Sequence, residues 1–201
     1  MQYKLVHFNN GNLADSWQNH FKNQPNVEII NGDICSVECD AIVSPANSFG
    51  FMDGGLDLAL SEKFGRNLEM RVQKAIMRRP LGELLVGEAL VESTENLDVP
   101  WLIVAPTMRV PMKLRQSVNA YLAMKAILLA VKNKDMEPEI NVVAIPGLGT
   151  GVGALTPEVA AQQMWQGFQD VELDESSYPV GFGAAQKNHV MLNPQEIRIW
   201  D

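Results

Sequence analysis

Three short segments of the sequence place glycines beside polar side chains, a combination that suits the binding of a polar ligand. They are residues 32–34, residues 45–57 and the glycine-rich run at residues 147–153. Glycine allows a positive φ and a close backbone approach, and successive free N–H groups can hold an anion without a lysine. The third segment fits neither the Walker pattern nor Gly-x-Gly-x-x-Gly, so it indicates another kind of backbone anion site. A flexible turn is an equally compatible interpretation of that spacing.

Three polar side chains in these segments are candidates for chemistry. The amide of Asn47 both donates and accepts hydrogen bonds, which suits a ribose hydroxyl, although a lone asparagine more often forms a turn. Asp57 follows Gly54 and Gly55 in the first turn of a predicted helix, where a carboxylate also interacts favourably with the helix dipole. Asp33 is suited to accept a hydrogen bond from an exocyclic amine, or to cap a turn.

The elements that must position these segments alternate between strands and helices. Apolar runs predict strands at residues 3–8, 27–30, 41–44, 86–91, 101–105 and 141–145, with one more short strand at 190–192. Periodicity and capping signals predict helices that begin at Asp15 or Ser16, at Leu56 with an interruption at Gly65, at residue 117, and after an N-cap at Thr156. This order predicts an α/β fold with a mostly parallel or mixed sheet. Ligands in such folds bind beyond the carboxyl ends of the strands.

Composition and charge limit the class of protein. The 201 residues include 46% hydrophobic and 20% charged residues, which is a globular composition and excludes disordered, collagen-like and coiled-coil chains. The net charge of −8 gives no long-range attraction to nucleic acid or to anionic membranes. No apolar run approaches the ~18 residues of a membrane span, and the first ten residues turn polar too early for a secretory signal, so a cytoplasmic location is expected.

The two cysteines do not indicate a metal or a disulfide framework. Cys35 and Cys39 are the only cysteines, and the three histidines are scattered through the chain at His7, His20 and His189. Metal sites and Ser-His-Asp or Cys-His centres need such groups to converge, so inert thiols are expected. No metal and no cofactor is predicted.

Taken together, the glycine-rich segments resemble the macrodomain family of ADP-ribose-binding modules. Residues 27–34, Val-Glu-Ile-Ile-Asn-Gly-Asp-Ile, are similar to the family's first binding strand. Residues 40–48 are similar to its Asp-Ala-Ile-Val-Asn-Ala-Ala-Asn-Ser motif. Residues 54–57 resemble the end of its glycine-rich loop and the helix-start Asp of its hydrolases, and residues 146–153 resemble its phosphate loop. The resemblance implies a three-layer α/β/α sandwich with a mixed, largely parallel sheet.

The resemblance also implies roles for individual residues. Asp33 and Ile34 would contact the adenine side of ADP-ribose, and Asn47 and Asp57 would act as catalytic residues that orient the distal ribose and a water at its anomeric carbon. Backbone groups would bind the rest of the ligand. They belong to Gly54, Gly55, Gly149, Thr150, Gly151, Val152 and Gly153.

The chain departs from the family pattern in ways that bear on function. Ser44 and Pro45 replace the usual Asn-Ala, residues 51–53 interrupt the usual glycine run, and Gly153 or Ala154 falls where many relatives have an aromatic ring. The chain is expected to form one domain, with a core at about 27–171 and extensions at 1–26 and 172–201. The tail lacks a strong apolar final strand, so we expect the N-terminal strand to take that place in the sheet. Phe49, Phe51, Tyr178 and Phe182 are all candidates to stack on the ligand.

Three functional hypotheses follow. The first is an ADP-ribosyl hydrolase that acts on a modified macromolecule or on a small ADP-ribose derivative, with nucleic acid as a partner only if it is the modified substrate. The second is a reader module that binds ADP-ribose or a related nucleotide without catalysis. The third is a cleft whose ligand has changed. No membrane partner is expected, and the sequence leaves the oligomeric state open.

Overall fold

A computed structural model of the protein describes residues 1–132 and 139–193. The six strands are β1 (Gln2–His7), β2 (Val27–Asn31), β3 (Ala41–Ser44), β4 (Leu90–Ser93), β5 (Trp101–Val104) and β6 (Val142–Pro146). The six helices are α1 (Gly11–Phe21), α2 (Gly55–Phe64), α3 (Asn67–Met77), α4 (Asn119–Val131), α5 (Pro157–Glu172) and α6 (Phe182–Leu192). A single 3₁₀ turn, Ile34–Ser36, follows β2 in the described chain.

The strands form one mixed sheet in the order β2-β1-β6-β3-β5-β4. All neighbouring pairs are parallel except β4 with β5 at the edge. The N-terminal strand β1 lies between β2 and β6, because Tyr3 is paired with Val27 on one side and with Val143 on the other. The strand β1 therefore has an inner position in the sheet.

Helices cover both faces of the sheet and enclose two cores. Helices α1, α4 and α5 pack on one face through large buried side chains such as Trp17 and Phe168. Helices α2 and α3 pack on the other face through Leu60, Leu68 and Ile76. Because parallel strands expose apolar side chains on both faces, both must be covered, and the predicted three-layer α/β/α sandwich is confirmed.

The interruption predicted at Gly65 is confirmed, since Gly65 adopts a φ of 88° and ends α2. Three local predictions differ from the structure. Helix α1 begins at Gly11 and not at Asp15 or Ser16, because the side chain of Asn10 accepts a hydrogen bond from the N–H of Leu13. The edge strand occupies Leu90–Ser93 instead of 86–91.

The third difference lies in the tail, where the strand predicted at 190–192 is wrong. Those residues form the end of α6. Their apolar run is too short to distinguish a strand from a helix by periodicity. The N-cap at Thr156 is confirmed, because its hydroxyl accepts from the N–H of Val159 and Pro157 opens α5. Within the described ranges, no helix is long and apolar enough to cross a membrane.

Candidate functional site

A cleft of about 710 Å³ lies at the carboxyl edge of the sheet. Its walls come from the ends of β1, β2, β3 and β6 and from the start of α2, which is the edge where ligands bind in folds of this type. The volume falls within the range of small-molecule sites. All the site residues predicted from the sequence lie along it: Asp33, Ile34, Asn47, Gly54, Gly55, Asp57, Gly149, Thr150, Gly151, Val152 and Gly153.

The loop after β6 supplies backbone donors to the middle of the cleft. No described protein atom accepts a hydrogen bond from the N–H groups of Gly149, Gly151, Val152 or Gly153. A Cβ on Gly153 would come 2.6 Å from the carbonyl oxygen of Gly149, and Gly149 itself has a φ of 74°. The shape of the loop therefore requires glycine at positions 149 and 153. The uncommitted N–H groups are suited to bind an anion.

Asp57 projects into the cleft from the first turn of α2. Its Oδ1 accepts a 2.6 Å hydrogen bond from the hydroxyl of Ser44 at the end of β3. Burial raises the pKa of Asp57 to about 6, Ser44 counteracts that rise, and the negative charge of Asp53 adds to it. A carboxyl group whose pKa lies this close to neutrality is suited to accept a proton from a bound water.

Asn47 shapes the wall of the cleft by binding its own loop. Its Nδ2 donates to the carbonyl of Phe51 at 2.9 Å, and its Oδ1 accepts from the N–H groups of Phe49 and Phe51 at 3.1 and 3.3 Å. Asn47 therefore has the turn-forming role that is common for a lone asparagine. One amide hydrogen has no protein acceptor in the described structure and is left for a ligand.

Asp33 combines capping with a position in the cleft. Its carboxylate accepts from the N–H of Cys35 at 2.9 Å and from the hydroxyl of Ser36 at 3.3 Å, so it caps the 3₁₀ turn. The side chain is exposed and retains acceptor capacity because a carboxylate has about four lone-pair directions. Ile34 is buried at the start of the same turn.

The N-terminal strand contributes residues that sequence reasoning missed. His7, Phe8 and Asn10 line the cleft, and the ring of Phe8 is 73% exposed. The turn that carries Phe8 is fixed, since the N–H of Asn9 donates to Asn31 and the N–H of Gly32 donates to the carbonyl of His7. The sequence signal for them is the strand predicted at residues 3–8, because the rule of strand ends applies to it as to the other strands.

The four aromatic candidates separate in the structure. Phe51 lies in the cleft wall with 54% of its surface exposed. The ring of Phe49 packs under the guanidinium of Arg109 at 4.9 Å, and that guanidinium is paired with Glu83. Tyr178 borders a second cavity between α4, α5 and the tail. Phe182 is exposed at the start of α6 and does not line the cleft.

The charge of the cleft is unusual for an anion site. The described lining includes three carboxylates, those of Asp33, Asp53 and Asp57, but no lysine or arginine. At the rim, the exposed Lys113 donates to the carbonyl of Val152 at 3.1 Å. An anion bound in the cleft would therefore be held by backbone N–H groups and not by direct ion pairs.

The sequence that builds this cleft matches a known family. The model of the Macro domain family matches residues 43–164, which run from the end of β3 to the middle of α5 and include Asp57 and the glycine loop. The chain belongs to the macrodomain family. Phe8 and Asp33 lie outside the matched residues, on the strands at the other end of the cleft.

Individual relatives agree with the family assignment. An uncharacterized protein of Aquifex aeolicus is 35% identical over 138 residues, which are 69% of this chain and 78% of that protein. A DNA ADP-ribosyl glycohydrolase of Mycobacterium bovis is 31% identical over 158 residues, which are 76% of this chain but only 42% of that protein. Among solved structures, the macrodomain of Mycobacterium tuberculosis DarG is 28% identical with a TM-score of 0.57, and the match covers 70% of this chain and 88% of that one.

Proposed function

We propose that this macrodomain binds ADP-ribose and hydrolyses ADP-ribosyl linkages on a modified macromolecule or a small derivative. The observation that carries the proposal is the half-buried carboxylate of Asp57, held by Ser44 in the same cleft as a loop with uncommitted N–H groups. The N–H groups are suited to bind a diphosphate, and the Asp57 carboxylate is suited to accept a proton beside it. The name of the Mycobacterium bovis relative supports the choice of linkage.

The order of the strands supports one orientation of the ligand. Strand β6, whose loop would hold the diphosphate, separates β1 and β2 from β3. The adenine would lie at the β1–β2 end, where Phe8 offers a ring to stack on and Asp33 an acceptor for the amino group. The distal ribose would lie at the β3 end, where Asn47 and Asp57 project into the cleft.

The chemistry at the β3 end is a hydrolysis. A water oriented by Asp57 attacks the anomeric carbon of the distal ribose, and the bond from that carbon to the acceptor group breaks. One proton of the water passes to the Asp57 carboxylate, and the acceptor leaves with its electron pair and takes a proton from solvent. Uncommitted N–H groups of the glycine loop and of the start of α2 would hold the diphosphate while this happens.

The test is the Asp57→Asn variant, which keeps the shape of the side chain and removes its basicity. We expect release of ADP-ribose from an ADP-ribosylated protein or oligonucleotide to fall by at least about a hundredfold, the range of general base catalysis. Affinity for ADP-ribose in calorimetry should change little. Asp53→Asn is the matched control, because it removes an exposed carboxylate from the same cleft and should keep most of the turnover. Undiminished turnover in Asp57→Asn would refute the role of Asp57.

The second candidate is a reader module without catalysis. The hydrogen bonds of Asn47 to its own loop favour it, since they leave that amide little capacity to orient a ribose. Binding of ADP-ribose without release from any ADP-ribosylated protein or oligonucleotide would support the reader. Absence of any calorimetric signal with ADP-ribose, from folded protein, would instead indicate that the ligand has changed.

A further inference from the structure

Ser44 stands where the macrodomain motif usually has asparagine, and in this chain it contacts the side chain at the centre of the proposed reaction. Its hydroxyl lies 2.6 Å from Oδ1 of Asp57. Ser44 is 1% exposed and is not part of the cleft lining, so it has no route to the ligand itself. Whatever it contributes to the reaction must act through Asp57.

The backbone on both sides of this hydrogen bond is fixed. Ser44 ends β3 in register with Val104, and its carbonyl accepts from the N–H of Ala105. Asp57 is in the first turn of α2, which packs against β3. The hydroxyl is therefore presented to the carboxylate from an inner strand of the sheet, and the pair can hold one orientation.

The two oxygens of Asp57 have different environments. Oδ1 accepts from Ser44, whereas no described protein group donates to Oδ2. A bond at Oδ1 fixes the plane of the carboxylate and leaves Oδ2 as the oxygen available to a water in the cleft. We propose that Ser44 is a positioning residue, which holds Asp57 with one oxygen free and keeps its carboxylate ionised for the reaction. The inference rests on the proposed function of Asp57.

The charges around Asp57 explain why such a donor is needed. Burial and the charge of Asp53 both raise the pKa of Asp57, while the hydrogen bond from the hydroxyl of Ser44 lowers it. The other titratable groups that line the cleft are His7 and Asp33. On the elements packed against α2, Glu69 of α3 accepts from Met52 and Gln73, and Cys35 lies in the 3₁₀ turn. None of these offers a second donor to Asp57 in the described structure.

The experiment compares Ser44→Ala, Ser44→Thr and Ser16→Ala. Alanine removes the donor, and threonine keeps a hydroxyl at the same position. Ser16→Ala is the matched control, because Ser16 is also buried but its hydroxyl donates to the carbonyl of Asn12 in α1. Each variant is assayed for kcat/KM against pH on an ADP-ribosylated protein or oligonucleotide that the wild type cleaves. The Asp57 carboxyl group is also titrated by carbon NMR, which needs no substrate.

We expect the acid limb of the Ser44→Ala profile to move up by about one pH unit, as loss of a hydrogen bond to a charged group predicts. The rate at pH 6 should then fall about fivefold, because the ionised fraction of an acid with a pKa of about 6 falls from about one half to about one tenth when its pKa rises by one unit. The NMR midpoint of Asp57 should also rise by about one pH unit. Ser44→Thr should restore both values if it folds with wild-type stability, and Ser16→Ala should move neither. ADP-ribose affinity at pH 8 should be unchanged in all three variants.

The outcomes separate this inference from the proposed function. If Asp57→Asn is inactive but Ser44→Ala moves neither the acid limb nor the NMR midpoint, the role of Ser44 is refuted and that of Asp57 stands. If Asp57→Asn keeps its turnover, the proposed function fails. The NMR midpoint then still reports whether Ser44 controls the ionisation of Asp57.

Discussion

At the scale of single residues, the position of the Asp57 carboxylate in the cleft destabilises the folded protein. Its pKa is raised from 3.8 to about 6 by burial first, and then by the charge of Asp53. Between these two values the folded protein binds a proton that the unfolded chain has released. Stability therefore falls as the pH rises from about 4 to about 6, and the loss persists above that range.

Asp57→Asn should accordingly stabilise the protein at neutral pH. A pKa difference of this size corresponds to about 1–3 kcal/mol at pH 7.5, and the gain should shrink towards zero near pH 4. Urea denaturation at several pH values measures it. Asp53→Asn, which removes an exposed carboxylate, should change stability by less than about 0.5 kcal/mol. A gain for Asp57→Asn that is the same at pH 4 and pH 7.5 would contradict the raised pKa.

Two glycines of the loop at residues 147–153 provide a second test at the scale of residues. A methyl on Gly153 meets the Gly149 carbonyl oxygen at 2.6 Å and a Leu114 methyl at 2.8 Å, whereas a methyl on Gly151 meets nothing within 4 Å. Gly153→Ala should therefore destabilise the protein by about 1–3 kcal/mol, as overpacking does, and Gly151→Ala by much less. Thermal denaturation of the two variants compares them, and equal losses would show that the loop is not fixed as described.

At the scale of elements, the insertion of β1 between β2 and β6 determines what one end of the cleft contains. It places the exposed ring of Phe8 beside the end of β2, where Asp33 lies. If adenine stacks there, Phe8→Ala should weaken ADP-ribose binding about tenfold, the lower part of the range for base stacking on an aromatic ring. Phe182→Ala is the control in calorimetry, because that ring is equally exposed but lies in α6. An unchanged affinity for Phe8→Ala would place the base elsewhere.

Strand β1 also shows which feature of the fold the sequence does not predict. Three loops were found because each follows an apolar run at a strand end, and all three meet in one cleft. The order of the strands in the sheet depends on long-range pairing that no local pattern encodes. The fourth loop, which carries Phe8, also follows a predicted strand, but its place beside the end of β2 depends on that long-range pairing. The hydrogen bond from Ser44 to Asp57 joins residues 13 positions apart, and no spacing rule predicts it.

At the scale of the whole molecule, the net charge of −8 conflicts at first with an anionic ligand. Ion pairs use several of the basic side chains, as Arg79 with Glu88 and Arg71 with Glu95 show. The described cleft lining adds carboxylates but no lysine or arginine. The conflict is resolved locally, because N–H dipoles act over a few ångströms while the repulsion from distant charges is screened by salt within about 10 Å at 0.1 M.

This balance predicts that added salt does not weaken the binding of ADP-ribose. Lysine-based and arginine-based phosphate sites weaken as ionic strength rises, because salt screens their attraction. Here salt screens mainly the repulsion between ADP-ribose and the acidic molecule. The dissociation constant should therefore stay within about twofold, or fall, between 20 and 200 mM NaCl in calorimetry. Lys113→Gln, at the rim, should leave this response unchanged, since its ammonium is exposed and bound to a carbonyl. If the wild-type affinity weakens more than about fivefold over this range and the affinity of Lys113→Gln does not, then Lys113 and not the backbone holds the anion.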